Sequence, residues 1–213
     1  MIKDKHFKEE YMDTKARIGK QVAHHNSVDI NTIKADFSDC KTYRYTLTFD
    51  FKSTDTENRT KKLAIILKNP SSADEKKADQ TINRVQQYVY EHFKDVKTVT
   101  ILNLFAFRGT DASDVEKNRL ESNLEYVVGE FNNQNILENV LSSDYLIFAW
   151  GGRSAINRKA YDERIGILLN LIKQCDLTDK EIYRVNDQKG SHKYPFHACY
   201  WSNSFKKVPI FLD

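Results

Sequence analysis

Short apolar runs, each followed by a polar stretch and then by a helical pattern, constrain the fold of this chain more than any other feature. Runs of this kind are typical of strands that are buried on both faces of a sheet. Three of them occur: LAIIL at 63–67, VTILNLF at 99–105 and YLIFAW at 145–150. Helical patterns follow near 81–93, 115–141 and 155–174, and EIYRV at 181–185 is a candidate fourth strand. The alternation predicts an α/β fold with a central, mostly parallel sheet, right-handed crossovers and helices on both faces.

The residues before the first apolar run predict two further elements. Apolar residues at the odd positions of 43–51 alternate with polar residues such as Arg44, which predicts a half-buried antiparallel edge strand with one wet face. The polar stretch after it turns the chain back into 63–67, so we expect these two strands to form a hairpin. Apolar residues at helical spacing within 3–25 predict an N-terminal helix, part of a helical extension over 1–36.

The composition indicates one domain over 1–213. The chain has 213 residues, of which 40% are hydrophobic, and no Pro/Gly/Ser-rich linker divides it. A net charge of +3 permits nucleic-acid binding without indicating it. No apolar stretch approaches the ~20 residues of a membrane span, and 1–26 is too charged for a secretory signal. We therefore expect no membrane association and a cytoplasmic location.

The sequence does not indicate a metal or a cofactor. Cys40, Cys175 and Cys199 form no CxxC pair and cannot supply the four ligands of an ordinary iron–sulfur cluster or a four-cysteine zinc site. His24 and His25 are adjacent and have no acidic or cysteine partner at ligand spacing. There is no Walker A loop, GxGxxG fingerprint or GxSxG elbow. We expect no cofactor and no metal site.

Three polar loops follow the predicted parallel strands: KNPSS at 68–72, NLFAFRGT at 103–110 and WGGRS at 150–154. Ligands of open α/β sheets bind beyond the carboxyl ends of the strands, where such loops meet. Asn103 interrupts an otherwise apolar run at a strand end, so its amide is expected to point into a shared crevice. The alternative is that this amide only satisfies backbone groups at the end of the strand.

Five segments together resemble a bacterial family known as domain of unknown function 1643. They are FSDCKTYRYTL, ILKNPSSADEKKADQTINR, NLFAFRGTD, FAWGGRSA and KYPFHACYW, and the likeness covers about 36–201. That pattern in turn resembles the uracil-DNA glycosylase superfamily. The superfamily's proline loop, L-L-N strand end, L-W-G strand end and late His-Pro loop correspond here to Asn69-Pro70, Leu102-Asn103, Trp150-Gly151 and Tyr194-Pro195. The resemblance implies a three-layer α/β/α fold and cleavage of a base from DNA.

The resemblance also implies roles for individual residues. Asn69 would hold the attacking water, although a neutral amide cannot accept its proton as a carboxylate does. Tyr194 stands where the relatives carry the histidine that stabilises the departing uracil, and His197 and His192 are alternatives. Asn103 would read uracil, since its oxygen can accept from N3–H while its NH2 donates to O4. The predicted substrate-binding residues are Lys68, Pro70, Ser71, Asn103 and Phe105, with a turn and helix cap as the alternative interpretation of the proline loop.

DNA contacts are expected from the later loops. The glycines of WGGRS would let a phosphate approach the backbone, and the helix that follows would present N–H groups to it. Arg108 has a second interpretation, as a structural arginine that bridges two loops. The predicted DNA-binding residues are Arg108, Gly151, Gly152, Arg153, Ser154, Lys193 and Phe196.

Three functional hypotheses follow. The first is a uracil-DNA glycosylase that extrudes the base and prefers single strands, which need no unpairing. The second is a non-catalytic DNA-binding or decoy protein that has kept the pocket, and the third is an enzyme of free nucleosides or nucleotides. Uracil-containing DNA is the expected partner, a proteinaceous glycosylase inhibitor is a further candidate partner, and the chain is expected to be a monomer.

Overall fold

The computed structural model describes residues 21–52, 58–109, 111–186 and 190–212. The strands in these ranges are β1 (Gln21–Val22), β2 (Val28–Phe37), β3 (Arg44–Phe51), β4 (Lys61–Leu67), β5 (Ala78–Asp79), β6 (Val96–Asn103), β7 (Tyr145–Phe148), β8 (Glu181–Val185) and β9 (Lys207–Pro209). The helices are α1 (Gln80–His92), α2 (Ala112–Glu121), α3 (Leu124–Val128), α4 (Asn132–Leu141), α5 (Arg158–Lys173) and a short 3-10 helix (Ala198–Tyr200). None of the helices in the described ranges is long and apolar enough to cross a membrane.

Seven strands form one mixed sheet in the order β2-β3-β6-β4-β7-β8-β9. The four strands β6, β4, β7 and β8 run parallel to one another. β2 and β3 on one side and β9 on the other pair antiparallel with their neighbours. The prediction of an α/β protein with parallel strands at the centre of its sheet is confirmed. β1 and β5 form a separate two-stranded ladder.

Helices cover both faces of this sheet. Successive side chains of a strand point to opposite faces, and in β4 Leu63 and Ile65 enter one apolar core while Ala64 and Ile66 enter the other. Residues of α1 pack in the first core, and residues of α4 and α5 pack in the second. Burial on both faces explains why the β4 run is apolar without alternation.

The predicted hairpin of β3 and β4 is wrong. β6 lies between them and pairs antiparallel with β3 and parallel with β4. β7 occupies the other edge of β4, so β4 has no edge left for β3. β3 is not an edge strand either, because β2 pairs with its outer side.

The stretch 115–141 forms three helices instead of one. Asn123 caps α3 by accepting a hydrogen bond from the backbone N–H of Tyr126 at 2.7 Å, which marks a new helix start. Gly129 ends α3 with a φ of +86°, a left-handed conformation that glycine adopts without strain. The cap and the glycine together divide the apolar pattern that had predicted a single helix.

The helical extension predicted over 1–36 does not continue through its second half. Residues 21–22 form β1, and most of 28–36 lies in β2, where Val28 and Ile33 are buried against the first core. Pairing with β3 decides the conformation of this segment, and a register shift between Asp29 and Lys34 obscures the alternation in its sequence. The part of the prediction that concerns 1–20 lies outside the described residues.

Candidate active-site cleft

A cleft of about 610 Å³ lies at the carboxyl ends of the parallel strands, on the side that α1 covers. The loop after β4, the first turns of α1 and α2, the loop after β7 and the segment around the 3-10 helix line it. This is the edge at which parallel sheets bind ligands, as the sequence predicted. The polar lining residues include Lys68, Asn69, Ser71, Asp79, Ser154 and His197.

The loops that follow β4 and β6 are joined to each other beyond the ends of their strands. The backbone N–H of Phe105 donates to Lys68 O at 3.0 Å, and that of Gly109 donates to Pro70 O at 3.0 Å. The side-chain Nδ2 of Asn69 donates to Gly109 O at 2.9 Å. These bonds continue the β4–β6 pairing into the loops, so the position of Asn69 depends on both.

Gly151 makes room for His197 in the wall of the cleft. A Cβ atom at Gly151 would lie 2.5 Å from the His197 Cβ, and the φ of Gly151 is +68°. Any other residue at this position would meet both a steric contact and backbone strain. The hydroxyl of Tyr161 in α5 donates to Gly151 O at 2.9 Å and fixes the same turn. Gly151 therefore leaves the space that the His197 side chain occupies.

His197 is held as a neutral imidazole with one defined tautomer. Its Nδ1 accepts a hydrogen bond from the backbone N–H of Cys199 at 3.1 Å, so the ring proton of the neutral form resides on Nε2. Burial, with the charge of Lys68 nearby, lowers the pKa of His197 to about 4, and Asp79 offsets part of this effect. At neutral pH the ring is an uncharged hydrogen-bond donor.

Lys68 is a buried ammonium group in the same cleft. Its side chain follows directly from β4, the residue is 6% exposed, and its Nζ donates to Ser154 Oγ at 2.7 Å. Burial lowers the pKa of Lys68 to about 8, and no carboxylate offsets this shift. None of the ion pairs of the described residues includes Lys68.

Asp79 adds a carboxylate to the cleft. It is the N-cap of α1, and its Oδ1 accepts from the backbone N–H of Ile82 at 2.8 Å. Its Oδ2 accepts from the hydroxyl of Ser71. A carboxylate has about four lone-pair sites, so two of them remain for a ligand or a water molecule. The cap fixes this carboxylate at the start of the helix.

Arg44 is the second buried cation of the cleft. The residue is 1% exposed, which corrects the prediction that it lies on the wet face of β3. Its Nη1 donates to Ala73 O at 2.8 Å, while its Nε has no partner among the described residues. Burial lowers the pKa of Arg44 to about 10, and the charge of Asp79 partly opposes this.

Asn103 lies beneath the cleft and does not itself line it. It is 0% exposed, and Leu67, its register partner in β4, is a lining residue. Partners in a parallel pair project from the same face of the sheet, so the Asn103 side chain points to the side of the cleft. Neither its Oδ1 nor its Nδ2 has a hydrogen-bond partner among the described residues. Among the described residues the amide therefore makes none of the backbone hydrogen bonds that the alternative interpretation expected.

The end of β6 that carries Asn103 is clamped from behind. Asn132 at the start of α4 donates through Nδ2 to the backbone oxygens of Asn103 at 3.0 Å and Leu104 at 3.1 Å. Arg164 of α5 donates through Nε to Leu104 O at 2.6 Å. Both clamping residues are buried, so two helices of the second core fix the position of Asn103.

The structure does not bring Tyr194 and Lys193 to the cleft. The hydroxyl of Tyr194 donates to Asp162 in α5, and its ring stacks on that of Tyr161 with centroids 6.1 Å apart. Lys193 Nζ forms an ion pair with the same carboxylate at 2.8 Å. Of the three residues considered for stabilising the leaving group, Tyr194, His192 and His197, only His197 lines the cleft.

Phe105 and Arg108 do not line the cleft, and their contacts are with the core and with a neighbouring loop. Phe105 is 0% exposed in the second core and stacks on Tyr161 with centroids 6.2 Å apart. Arg108 Nη1 donates to Lys41 O at 3.0 Å, and its guanidinium carbon lies 4.8 Å from the centroid of the Phe37 ring. Arg108 thus joins two loops, which is the second interpretation that the sequence allowed.

The remaining predicted residues lie around the cleft without lining it. Gly152 is exposed, and a Cβ there would meet nothing within 4 Å. Arg153 Nη1 donates to Ile156 O at 3.2 Å within its own turn. Phe196 is half-buried and packs against the first core. Among the described residues, no group of three or more His, Cys, Asp or Glu side chains is placed to hold a metal ion.

Sequence reasoning missed Arg44 and Asp79 as residues of the cleft. The position of Arg44 at the start of an alternating strand indicated solvent, and only the loop around Ala73 buries it. Asp79 lies directly before a helical pattern, which is the position of an N-cap. Such a position is explained by helix capping alone, so the sequence offered no reason to place Asp79 in the cleft.

Comparison with known families gives one match. A family model described as "Protein of unknown function (DUF1643)" matches residues 44–197, which is more than half of the chain. The polar cleft residues from Arg44 to His197 lie within this span, and the lining residue Cys199 lies just beyond it. No curated protein and no solved structure matches the chain.

Proposed function

The chain belongs to the DUF1643 family, whose description assigns no activity, and we propose that it is a glycosylase that hydrolyses the N-glycosidic bond of uracil in DNA. The observation that carries the proposal is the buried Asn103 amide, which has no hydrogen-bond partner among the described residues and projects from the face of the sheet on which the cleft lies. A buried polar group without a partner is costly, and a ligand that supplies the hydrogen bonds removes that cost.

Base recognition follows from the two functional groups of Asn103. The side chains that cover Asn103 must move aside for a base to reach it, because the residue is 0% exposed beneath the cleft. Its Oδ1 then accepts from N3–H of uracil and its Nδ2 donates to O4, so one amide matches two adjacent groups of the base. Thymine has the same two groups, and cytosine fits a flipped amide. Discrimination between these bases therefore depends on the orientation of the amide and on the space around C5.

His197 stabilises the leaving group in this proposal. As the bond between C1′ and N1 breaks, its electron pair passes to the base, and negative charge develops on O2. A neutral imidazole that presents Nε2–H donates a hydrogen bond to this charge without giving up its proton. Lys68 adds positive potential beside it. A preorganised donor of this kind contributes about 10²- to 10³-fold to the rate.

Asn69 and Asp79 act on the attacking water. With its Nδ2 bound to Gly109 O, Asn69 is oriented so that its Oδ1 can accept from water. Asp79 supplies the carboxylate that Asn69 lacks: it accepts the proton that water loses on attacking C1′, and its charge stabilises the oxocarbenium-like sugar. General-base assistance is typically worth about 10²- to 10⁴-fold.

The fold supports the same proposal in a general way. Four central parallel strands covered by helices on both faces are compatible with the three-layer α/β/α arrangement of the uracil-DNA glycosylase superfamily. The superfamily's functional loops follow strand ends, and here the corresponding residues Asn69, Asn103 and Gly151 follow or end β4, β6 and β7. We therefore propose that the chain has this fold.

The test is uracil release from single- and double-stranded oligonucleotides. We expect Asn103→Ala and His197→Gln each to lower the rate by about 10²-fold or more. Asp79→Asn keeps a capping side chain and is expected to lower the rate without loss of stability. Asn139→Ala on α4 is the matched control, because the side chain of Asn139 donates to Asn135 O of the same helix. Release that is unaffected by Asn103→Ala would contradict the assignment, and DNA binding without release would favour the non-catalytic hypothesis.

A second candidate function is the hydrolysis of free nucleotides. The observation that favours it is the placement of the cations. Lys193 is paired with Asp162, and Arg108 is bound to a loop carbonyl, whereas Lys68 and Arg44 are buried inside the cleft. Hydrolysis of 2′-deoxyuridine 5′-monophosphate that is faster than release from any oligonucleotide would select this function.

A further inference from the structure

Lys68 is a buried ammonium group with which no carboxylate pairs among the described residues, although the Cys199 thiol, whose own pKa is raised by burial, offsets part of the lowering of the Lys68 pKa. Its Nζ has one hydrogen-bond partner among the described residues, the neutral hydroxyl of Ser154 at 2.7 Å. No aspartate or glutamate contributes to its electrostatic surroundings, although Asp79 influences both Arg44 and His197 elsewhere in the cleft. A buried ammonium group is costly unless it is paired with an anion. The absence of an acidic partner within the described chain indicates that an anionic ligand pairs with it.

The groups around Lys68 are hydrogen-bond donors. The Lys68 ammonium has two N–H groups beyond the one bound to Ser154, and the Ser154 hydroxyl, which accepts from Lys68, keeps its own proton to donate. In the described chain the backbone N–H groups of Ser154 and Ala155 donate to no other residue. His197 lines the same end of the cleft. This set suits an oxyanion with several acceptor oxygens.

We propose that Lys68 and Ser154, with the backbone N–H groups of the Ser154 turn, form a subsite for the phosphate group of the substrate nucleotide. Phosphate offers several acceptor oxygens and a full negative charge, which match an ammonium, a hydroxyl and amide donors. The subsite deepens the proposed function and rests on it, since it assumes that the cleft receives a nucleotide. The phosphate has two possible sources, the backbone of DNA beside an extruded nucleotide and the terminal phosphate of a free nucleotide.

Equilibrium binding to the full chain tests the subsite without requiring catalysis. The ligands are inorganic phosphate, deoxyuridine, 2′-deoxyuridine 5′-monophosphate and a short uracil-containing oligonucleotide, each titrated by calorimetry. Lys68→Met removes the charge at similar volume, and Ser154→Ala removes one donor. Lys62→Met is the matched control, because Lys62 is an exposed residue at the opposite end of the same strand.

We expect Lys68→Met to weaken binding of the phosphate-bearing ligand at least tenfold, to leave deoxyuridine binding unchanged and to leave the unfolding free energy no lower than in the parent. A loss for the monophosphate identifies a terminal phosphate, and a loss confined to the oligonucleotide identifies a backbone phosphate. Unchanged affinity of Lys68→Met for all three phosphate-bearing ligands, or equal losses with deoxyuridine, overturns the proposal. If uracil is not released but these affinities fall, the subsite stands and the glycosidic activity does not.

Discussion

Asn103 is one of two buried asparagines near the end of β6, and the two differ in their hydrogen bonds. Its amide is 0% exposed and makes no hydrogen bond in the described chain, so the folded protein gains nothing from its polar atoms. Its neighbour in space, Asn132, is equally buried but donates to two backbone oxygens. The two asparagines therefore differ: among the described residues Asn132 bonds through its Nδ2, although its Oδ1 has no partner, whereas neither polar atom of the Asn103 side chain has a partner.

We predict that Asn103→Leu leaves the unfolding free energy equal or higher, because it replaces an unpartnered amide with an apolar side chain of similar size. Asn132→Leu is expected to lower it by about 1–3 kcal/mol, because it removes the side-chain donor to Asn103 O and one of the two side-chain donors to Leu104 O, the other being Arg164. Urea unfolding of both variants measures this. A destabilised Asn103→Leu variant would show that the amide has a structural partner.

His197 gives the protein a pH-dependent stability. Its pKa is about 4 in the folded chain and about 6.5 when unfolded, so between these values the unfolded state binds the proton that the folded state releases. The contribution of the neutral, buried His197 to the free energy of unfolding is fully present above pH 6.5 and is lost as the pH falls toward 4. The loss amounts to about 3 kcal/mol at most, at about 1.4 kcal/mol for each unit of pKa difference.

The difference between the parent and His197→Gln isolates this effect. We predict that the unfolding free energy of the parent falls more steeply than that of the variant as the pH is lowered below 6.5, and that the two curves run parallel above it. Denaturant unfolding at a series of pH values provides the measurement. Parallel curves over the whole range would mean that the histidine is not buried.

At the level of single residues, the sequence was informative where one residue broke a pattern. Asn103 could be selected because an amide is out of place in an apolar run, but the structure buries it beneath the cleft, whereas the sequence predicted that it points into the crevice. Arg44 could not be selected, since a charged residue in an alternating strand has an ordinary explanation on the solvent side. Tyr194 matched a motif in order along the chain, but its hydroxyl is bound to Asp162, which only the packing on α5 determines.

Among the elements, the turn after β7 places the strictest requirements on residue type. Gly151 requires a left-handed backbone and admits no Cβ, because His197 lies too close, whereas the adjacent Gly152 has open space around it. Both glycines come from one dipeptide in the sequence, which gives no reason to rank them. The three-dimensional contact with the late loop separates their roles.

We predict that Gly151→Ala lowers the unfolding free energy by about 1–3 kcal/mol, because it combines backbone strain with a displaced His197. Gly152→Ala is the control and is expected to stay within about 0.5 kcal/mol of the parent. Thermal unfolding compares the two variants directly. Equal effects of both substitutions would contradict the described contact between Gly151 and His197.

The boundaries of helices and strands could be predicted where local sequence signals were strong. They could not be predicted where pairing with another strand determines the conformation. The starts and ends of α1 and α5 lie close to the predicted ranges, because caps and apolar periodicity agree there. β2 was not predicted, since its residues are mixed in polarity and only the pairing with β3 makes them extended. The placement of β6 between β3 and β4 is a long-range choice that no local pattern contains.

For the whole molecule, the central fact is that β4 is buried on both of its faces. Ile65 and Ile66 are adjacent in sequence and both 0% exposed, yet they belong to separate apolar cores. We predict that Ile65→Ala and Ile66→Ala each lower the unfolding free energy by about 2–5 kcal/mol. Lys62→Ala on the exposed start of the strand is the control. Urea unfolding in which one isoleucine proves dispensable would show that one face is not covered by packed helices.

The general location of the site could be predicted at this scale, because parallel strands end at one edge and their loops must meet there. The detailed composition of the cleft could not. It includes a helix cap from α1 and a buried arginine from the antiparallel side of the sheet, and the tertiary packing of these two elements brings both into one wall.

The order in which the walls of the cleft appear along the chain has a consequence for synthesis. The segment that carries His197 is the last of the lining segments to leave the ribosome, after every strand of the parallel group has been made. A nascent chain that has already made the loops after β4, β6 and β7 still lacks the side of the cleft that His197 lines. The segment that carries His197 therefore completes the cleft only after all four parallel strands have been synthesised.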